Sequence, residues 1–236
     1  VETNSLFALT ATAKSAAGNA AAYGISNTDG ELNIELSGTS NISATGGKAS
    51  SSEVDVSAIA YGVKGSERSV TEYQSPDYVS ILQTLNVTAK SGIGAAVSGM
   101  GATAYGAYLR NGPVNEYYTL SPQFTSSAQT KATVKADGAG EAFAVGVASE
   151  WMEAGINGGN FAVTALSAQS RATAIGISAK SELMINEATL SMIISATGGK
   201  AQGSDSTDAI AFGLLAGEWN ENGSLTSGDS FMSMET

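Results

Sequence analysis

The feature that most constrains the fold of this chain is a five-residue motif, Ala-x-Ala-x-Gly, that occurs six times. Successive copies are 30 to 44 residues apart, which is typical of a fixed structural unit with loops of variable length. Two copies also follow the same octapeptide, "ISATGGKA", at Ile42–Ala49 and Ile194–Ala201. The copies of the motif end at Gly24, Gly62, Gly106, Gly146, Gly176 and Gly213.

A second regular segment lies upstream of each motif and alternates between apolar and polar residues. In "LNVTA", for example, Leu85, Val87 and Ala89 fall on one face and the intervening residues on the other. This period of two predicts a strand with one buried and one solvated face. A third, less regular segment follows some motifs, as in "ELNIEL" at Glu31–Leu36, but is hard to place in the second and third units.

A unit of this kind cannot bury its own apolar face, whereas stacked units share one continuous core. We therefore predict an all-β fold, a parallel β-helix (β-solenoid) of about six coils with two to three strands each, forming one domain over residues 1–236. Sandwiches and antiparallel barrels remain alternatives, but those folds give no reason for one sequence motif to recur at corresponding positions. The sequence further predicts insert loops at Ser66–Leu82 and Asn111–Phe124.

The motif places large residues at its x positions, such as Tyr61 and Phe212, and only Ala and Gly between them. We expect the large side chains to point inward, where their burial would stabilise the fold, and the Ala/Gly ladder to form a flat outer strip. The reverse orientation would leave a stripe of Tyr, Val and Ile facing water, which something would have to cover.

The composition excludes several classes of function. The chain has no cysteine and no histidine, so disulfides, thiolate nucleophiles, Cys/His zinc sites and imidazole bases are absent. With a net charge of −11 and no basic run, nucleic acid is an improbable partner, as are anionic lipids. The sequence predicts no cofactor and no bound metal, and no apolar run approaches the ~20 residues that a membrane-spanning helix needs.

The phrases "ISATGGKA…AIAYGV" and "VTAKSGIGAAVSGMGATAYGAYL" resemble the repeats of bacterial autotransporter passenger domains. The resemblance implies a right-handed β-helix on the surface of a Gram-negative bacterium or secreted from it. It implies contact with the outer membrane only through a translocator that this chain does not contain, so we expect an excised passenger.

Aromatic residues supply the candidate ligand contacts. The two predicted inserts carry Tyr73, Tyr78, Tyr117 and Tyr118, which would form a contact surface or pack over the side of the stack. Trp151 and Trp219 each follow a glutamate, and they would stack on carbohydrate or, as is commoner, anchor a corner of the fold.

Acidic pairs supply the only candidate catalytic groups. Glu53 with Asp55, and Asp205 with Asp208, lie between the octapeptide and the motif in their units. Two carboxyl groups ~5–9.5 Å apart could cleave a glycosidic bond, and clustered carboxylates could bind calcium. Neither stretch matches a known calcium loop, and solvated loop charges are the commoner role.

From these features we expect a non-enzymatic adhesin or display stalk that binds a host surface glycan or matrix protein, or that self-associates. A carboxylate-dependent β-helix glycan hydrolase or lyase is one alternative. An ice-binding solenoid is another, since a flat small-residue face would suit it, although the outward positions of the upstream strand mix Asn, Ser, Thr and Lys instead of repeating Thr.

Overall fold

The computed structural model describes residues 8–28, 32–47, 56–65, 76–92, 101–109, 113–115, 118–119, 122–156, 158–186, 191–199, 208–219, 225–226 and 231–235. These residues form twenty β-strands and no helix, and among them no segment could cross a membrane as a helix. The fold is therefore all-β, as predicted.

The bounds of the twenty strands are as follows. In chain order they are β1 (Thr10–Lys14), β2 (Ala20–Ser26), β3 (Asn33–Leu36), β4 (Ser40–Thr45), β5 (Ala58–Lys64), β6 (Tyr78–Ile81), β7 (Thr84–Lys90), β8 (Ala102–Leu109), β9 (Pro113–Asn115), β10 (Tyr118–Thr119), β11 (Gln123–Ser126), β12 (Lys131–Gly138), β13 (Ala142–Ile156), β14 (Asn160–Ser167), β15 (Ala172–Asn186), β16 (Ser191–Thr197), β17 (Ala209–Ala216), β18 (Glu218–Trp219), β19 (Leu225–Thr226) and β20 (Phe231–Glu235).

The upstream segments of the six units form one parallel sheet, which we call the first row. Its strand order is β1-β4-β7-β12-β14-β16, so each unit adds one strand, and we number the units repeats 1 to 6 in chain order. The period-two prediction is confirmed, because Leu85, Val87 and Ala89 of β7 are buried while Asn86 and Thr88 are only half-buried.

The six motifs form a second parallel row, β2-β5-β8-β13-β15-β17. A third parallel row contains β3, β6, β11 and β20 together with the C-terminal halves of β13 and β15, two long strands that belong to both rows. The third segment of repeats 2 and 3, which the sequence does not place, is therefore β6 and β11. Two short antiparallel pairs, β9 with β10 and β18 with β19, lie outside the rows.

The predicted inserts contain part of this third row. Tyr78–Ile81 is a strand within the segment 66–82, and Gln123–Ser126 begins within the segment 111–124. Each strand pairs in parallel with the other, so the end of each predicted insert belongs to the stacked rows. The preceding residues 66–75 lie outside the described part of the chain.

The expected orientation of the motif is wrong for the residues before its glycine. The alanines point inward and are buried, as Ala58 and Ala60 are, while Tyr23 is 40% exposed and Tyr61 half-buried on the outer face. The interior is already filled by large side chains of the first row, such as Leu85 and Phe161, so the second row contributes small ones. In repeats 1 to 5, whose motif alanines are all described and buried, there is consequently no outer Ala/Gly strip.

The residue after each glycine, which is large in every repeat except the third, where it is Ala107, does point inward, because the alternation is reset at the glycine. Gly62 and Val63 are consecutive and both buried, and Val63 belongs to the core with Ala60. A Cβ atom on Gly62 would overlap the carbonyl oxygen of Gly106 and lie 3.1 Å from Cγ2 of Val87. The motif requires glycine here because the main chains of adjacent repeats and the first row meet at this point.

The repeated octapeptide has an equally local explanation. Its second glycine, Gly47 or Gly199, lies against the turn that follows the first-row strand of the preceding repeat, where a Cβ atom would overlap main-chain atoms. The amide of Gly47 donates to the Gly18 carbonyl at 3.0 Å, and that of Gly199 donates to the Ser170 carbonyl at 2.9 Å. The octapeptide therefore recurs because it ends in a turn that packs closely against the turn of the preceding repeat.

Candidate binding face

The outer face of the second row carries a ladder of aromatic side chains. Tyr23, Tyr61 and Tyr105 occupy one position in repeats 1 to 3, and their strands are in register. The Tyr23 and Tyr61 rings stack with centroids 5.4 Å apart, and the Tyr61 and Tyr105 rings with centroids 5.0 Å apart. These distances follow the strand spacing of ~4.8 Å, so the parallel pairing itself imposes the stack.

Further side chains extend and enclose this ladder. Tyr108 packs edge-on against Tyr61 and Tyr105, and the Phe143 ring is tilted 61° from that of Tyr105 at a centroid distance of 5.8 Å. The Lys64 ammonium nitrogen lies 5.5 Å from the Tyr61 ring centroid, which is a cation–π contact. Burial raises the pKa of the Tyr105 phenol well above its ordinary value, and the neighbouring Tyr61 and Tyr108 phenols raise it further.

The tyrosine column continues with apolar residues in repeats 4 to 6, and in repeats 4 and 5 these residues are more deeply buried. Val145 and Ile175 continue the tyrosine column and are each 1% exposed, although they point away from the core. They form a second apolar cluster, with Leu215 buried and Phe212 half-buried beside them. The outer face thus changes from exposed rings in repeat 1 to a covered apolar surface in repeats 4 and 5.

A groove of about 410 Å³ opens on this face, at the level of repeats 3 to 5. Its volume lies within the range of ~300–1,000 Å³ that is usual for small-molecule sites. The rings of Tyr105 and Phe143 supply an apolar wall, two threonines supply hydroxyl groups, and Glu141 and Arg171 supply charged groups. The described residues that line it are Thr103, Tyr105, Glu141, Ala142, Phe143, Arg171 and Thr173.

The charged rim of the groove belongs to a row of residues that directly precede the motif strands. The carbonyl oxygen of each accepts a hydrogen bond from the first alanine of the motif in the preceding repeat, as Glu141 does from Ala102 and Arg171 from Ala142. An Nη2 atom of Arg171 donates to Oε1 of Glu141 at 2.9 Å. From repeat 2 to repeat 6 the row is Ser57, Gly101, Glu141, Arg171 and Asp208.

Two of the residues predicted from the sequence have described side chains. Tyr78 is half-buried on β6, where its hydroxyl lies 3.2 Å from Oγ1 of Thr125 in the next repeat. Asp208 is exposed beside β17, and its carbonyl oxygen accepts the Ala172 amide. The structure therefore places them on different rows, Tyr78 on the third and Asp208 at the start of the second.

The other predicted residues are described less fully. Tyr118, Trp151 and Trp219 lie on β10, β13 and β18, with only their main chains described; Trp151 is opposite Glu182 in a parallel pair, and Trp219 opposite Leu225 in an antiparallel one. The remaining candidates lie outside the described residues: Tyr73, Tyr117, Glu53, Asp55 and Asp205.

The groove residues are not predicted from the sequence because the expected orientation of the motif is wrong at the positions before its glycine. Two signals in the sequence point to them. The x position before the glycine is tyrosine in repeats 1 to 3, and the residues directly before the motif in repeats 4 and 5 are Glu141 and Arg171.

The described part of the chain contains no group of three or more acidic side chains arranged to hold a metal ion. Comparison with protein-family models, with curated proteins and with solved structures finds no match to this chain.

Proposed function

We propose that this chain is a right-handed parallel β-helix of the autotransporter-passenger type, displayed on or secreted from a Gram-negative bacterium, and that it acts as a non-enzymatic adhesin for host glycans. The parallel, in-register rows with one strand per repeat support the β-helix. The resemblance of the repeats to those of passenger domains supports the cellular location.

The groove on the second row is the observation that carries the glycan-binding proposal. Sugar rings present an apolar face of C–H groups and a rim of hydroxyls, and sites that bind them combine aromatic walls with a few polar groups. Phe143 and Tyr105 supply the wall. Arg171 and Glu141, hydrogen-bonded to each other, supply donors and acceptors at its edge.

The test is an array of immobilised glycans probed with the labelled chain and with Phe143→Ala. We expect a subset of glycans to bind, and the variant to lose at least about ten-fold in affinity, as removal of a central aromatic contact typically does. Ile59→Ala is the matched control, since Ile59 occupies the position of Phe143 two repeats earlier and lies outside the groove.

Binding that is equally strong in Phe143→Ala and wild type would place the glycan elsewhere on the chain. An array without any bound glycan would contradict the adhesin proposal for glycans. Concentration-dependent assembly in sedimentation velocity would then favour self-association. The motif alanines described in repeats 1 to 5 are buried, so these repeats lack the flat outer Ala/Gly strip that would suit ice binding.

A carboxylate-dependent glycan hydrolase is the second candidate, and one observation favours it. Glu141 and Asp208 lie two places apart in the charged row, so their main chains are ~9.6 Å apart at the usual strand spacing. Inverting glycosidases hold their carboxyl groups ~6.5–9.5 Å apart, a separation that these two side chains would reach by inclining toward each other. Release of reducing ends from a bound glycan, abolished in Asp208→Asn, would replace the adhesin proposal with this one.

A further inference from the structure

The charge state of the groove follows from the ion pair at its rim. The Arg171 side chain is 16% exposed, so its guanidinium is largely sheltered, whereas the Glu141 side chain is 60% exposed. Their 2.9 Å contact is a charge-assisted hydrogen bond, and it uses one of the donors that would otherwise face a ligand. The positive charge of Arg171 is therefore compensated by Glu141 before any ligand binds.

A second carboxylate adjoins the same arginine in the row. Asp208 follows Arg171 in the next repeat, and its carbonyl oxygen accepts the amide of Ala172, directly after Arg171. Along the row, one positive charge is thus flanked by two negative ones, on a chain whose net charge is −11. An anionic ligand approaching this rim meets net repulsion, because like charges at close range oppose binding.

We propose, on the basis of the glycan-binding function argued above, that the groove selects neutral pyranoses and that Glu141 is the residue that determines this selectivity. The apolar face of the sugar lies on Phe143, and its hydroxyls bond to the Arg171–Glu141 pair. A carboxylated sugar is rejected because its carboxylate must either displace Glu141 from Arg171 or lie beside Glu141. Removing the Glu141 charge removes this repulsion and leaves the Arg171 charge uncompensated by Glu141, which favours a sugar carboxylate at the guanidinium.

The test uses matched sugars that differ only at one carbon: methyl glucoside against methyl glucuronide, and methyl galactoside against methyl galacturonide. Saturation-transfer NMR and calorimetry with the full chain give the ratio of the two affinities in each pair. We expect wild type to favour a neutral sugar by roughly two- to five-fold, and Glu141→Gln to bring the ratio to one or below, the size of effect that one exposed charge produces.

Two controls make the outcomes distinct. Glu35→Gln removes an exposed carboxylate on β3, away from the groove, and should leave the ratio at its wild-type value. Circular dichroism establishes that Glu141→Gln is folded, and the glutamine side chain preserves the shape of the glutamate. A wild-type ratio of one or less overturns the proposal, as does an unchanged ratio in Glu141→Gln or an equal change in Glu35→Gln. Failure of every sugar in the panel and of the glycan array to bind contradicts the adhesin function itself.

Discussion

The phenol rings of Tyr61 and Tyr105 are parallel to within 3°, with their centroids 5.0 Å apart, on the outside of the second row. Tyr23 stacks on the opposite face of Tyr61, at 5.4 Å. The middle ring therefore has an aromatic neighbour on each side, and Tyr108 packs against its edge.

Replacing that middle ring should destabilise the protein. We expect Tyr61→Ala to lower the free energy of unfolding by about 2–4 kcal/mol, because it removes three ring pairs and leaves a cavity between them. Tyr61→Phe retains the stack and should cost clearly less. Urea denaturation followed by circular dichroism provides the comparison, and equal losses in the two variants would show that the ring stack contributes nothing.

The glycines that end the six motifs should tolerate a methyl group only where no further repeat of this chain packs against them. A Cβ atom on Gly106 would overlap the Gly146 carbonyl oxygen, whereas at Gly213 the nearest described atom is 3.8 Å away. We expect Gly106→Ala to cost about 1–3 kcal/mol, as overpacking does, and Gly213→Ala to be close to neutral. Thermal midpoints of the two variants test this, and a large loss in Gly213→Ala would contradict it.

Stability should fall at alkaline pH because of Tyr105. Burial raises its pKa in the folded protein above the unfolded value of about 10, so the unfolded chain loses this proton first as the pH rises. The protonated Tyr105 phenol makes its full contribution to the free energy of unfolding below about pH 10. Above that pH the contribution decreases by up to about 1.4 kcal/mol per pH unit. Tyr105→Phe removes this titration.

Urea midpoints of wild type and Tyr105→Phe at pH 8 and pH 11 measure the effect of that phenol, since every other ionisable group is common to both proteins. We expect the wild-type midpoint to fall further than that of the variant. Parallel falls would mean that the Tyr105 phenol titrates normally in the folded state.

A buried aspartate holds the third row to the preceding repeat. The Asp77 side chain is buried, and its Oδ1 atom accepts the Leu32 amide at 3.0 Å across 45 positions of sequence. We expect Asp77→Ala to cost about 1–3 kcal/mol, because it leaves a buried donor without its acceptor. Asp77→Asn keeps an oxygen in place and should cost less.

Hydrogen exchange at a single amide gives the direct measurement of this interaction. The Leu32 amide should exchange faster in Asp77→Ala than in Asp77→Asn. Unchanged protection of Leu32 in the alanine variant would show that the Asp77 side chain does not hold this amide.

The sequence predicts the architecture better than the surface. Strict alternation of apolar and polar residues in "LNVTA" indicates one buried face directly, so the orientation predicted for β7 is correct. In "AIAYGV" both faces are apolar, one large and one small, and hydrophobicity alone does not say which is inside. The choice depends on the first row, whose Leu85 and Val87 already fill the space opposite Ala60. That information lies about 25 residues away in the chain.

The same dependence explains why the groove was not predicted. Tyr105 and Phe143 belong to different repeats, 38 positions apart, and only parallel register brings their rings to 5.8 Å. Arg171 and Glu141 are brought together in the same way. Sequence reasoning instead placed function in the irregular segments, much of which lies outside the described residues.

The main-chain hydrogen bonds that precede each motif have an evolutionary consequence. Since the carbonyl oxygens of Ser57, Gly101, Glu141, Arg171 and Asp208 hold adjacent repeats together, the side chains at these places are not needed for that purpose. Five different residue types occupy equivalent places without altering the pairing. Mutation can therefore change the ligand chemistry of this rim one residue at a time, whereas the motif glycines, except Gly213, have no such freedom.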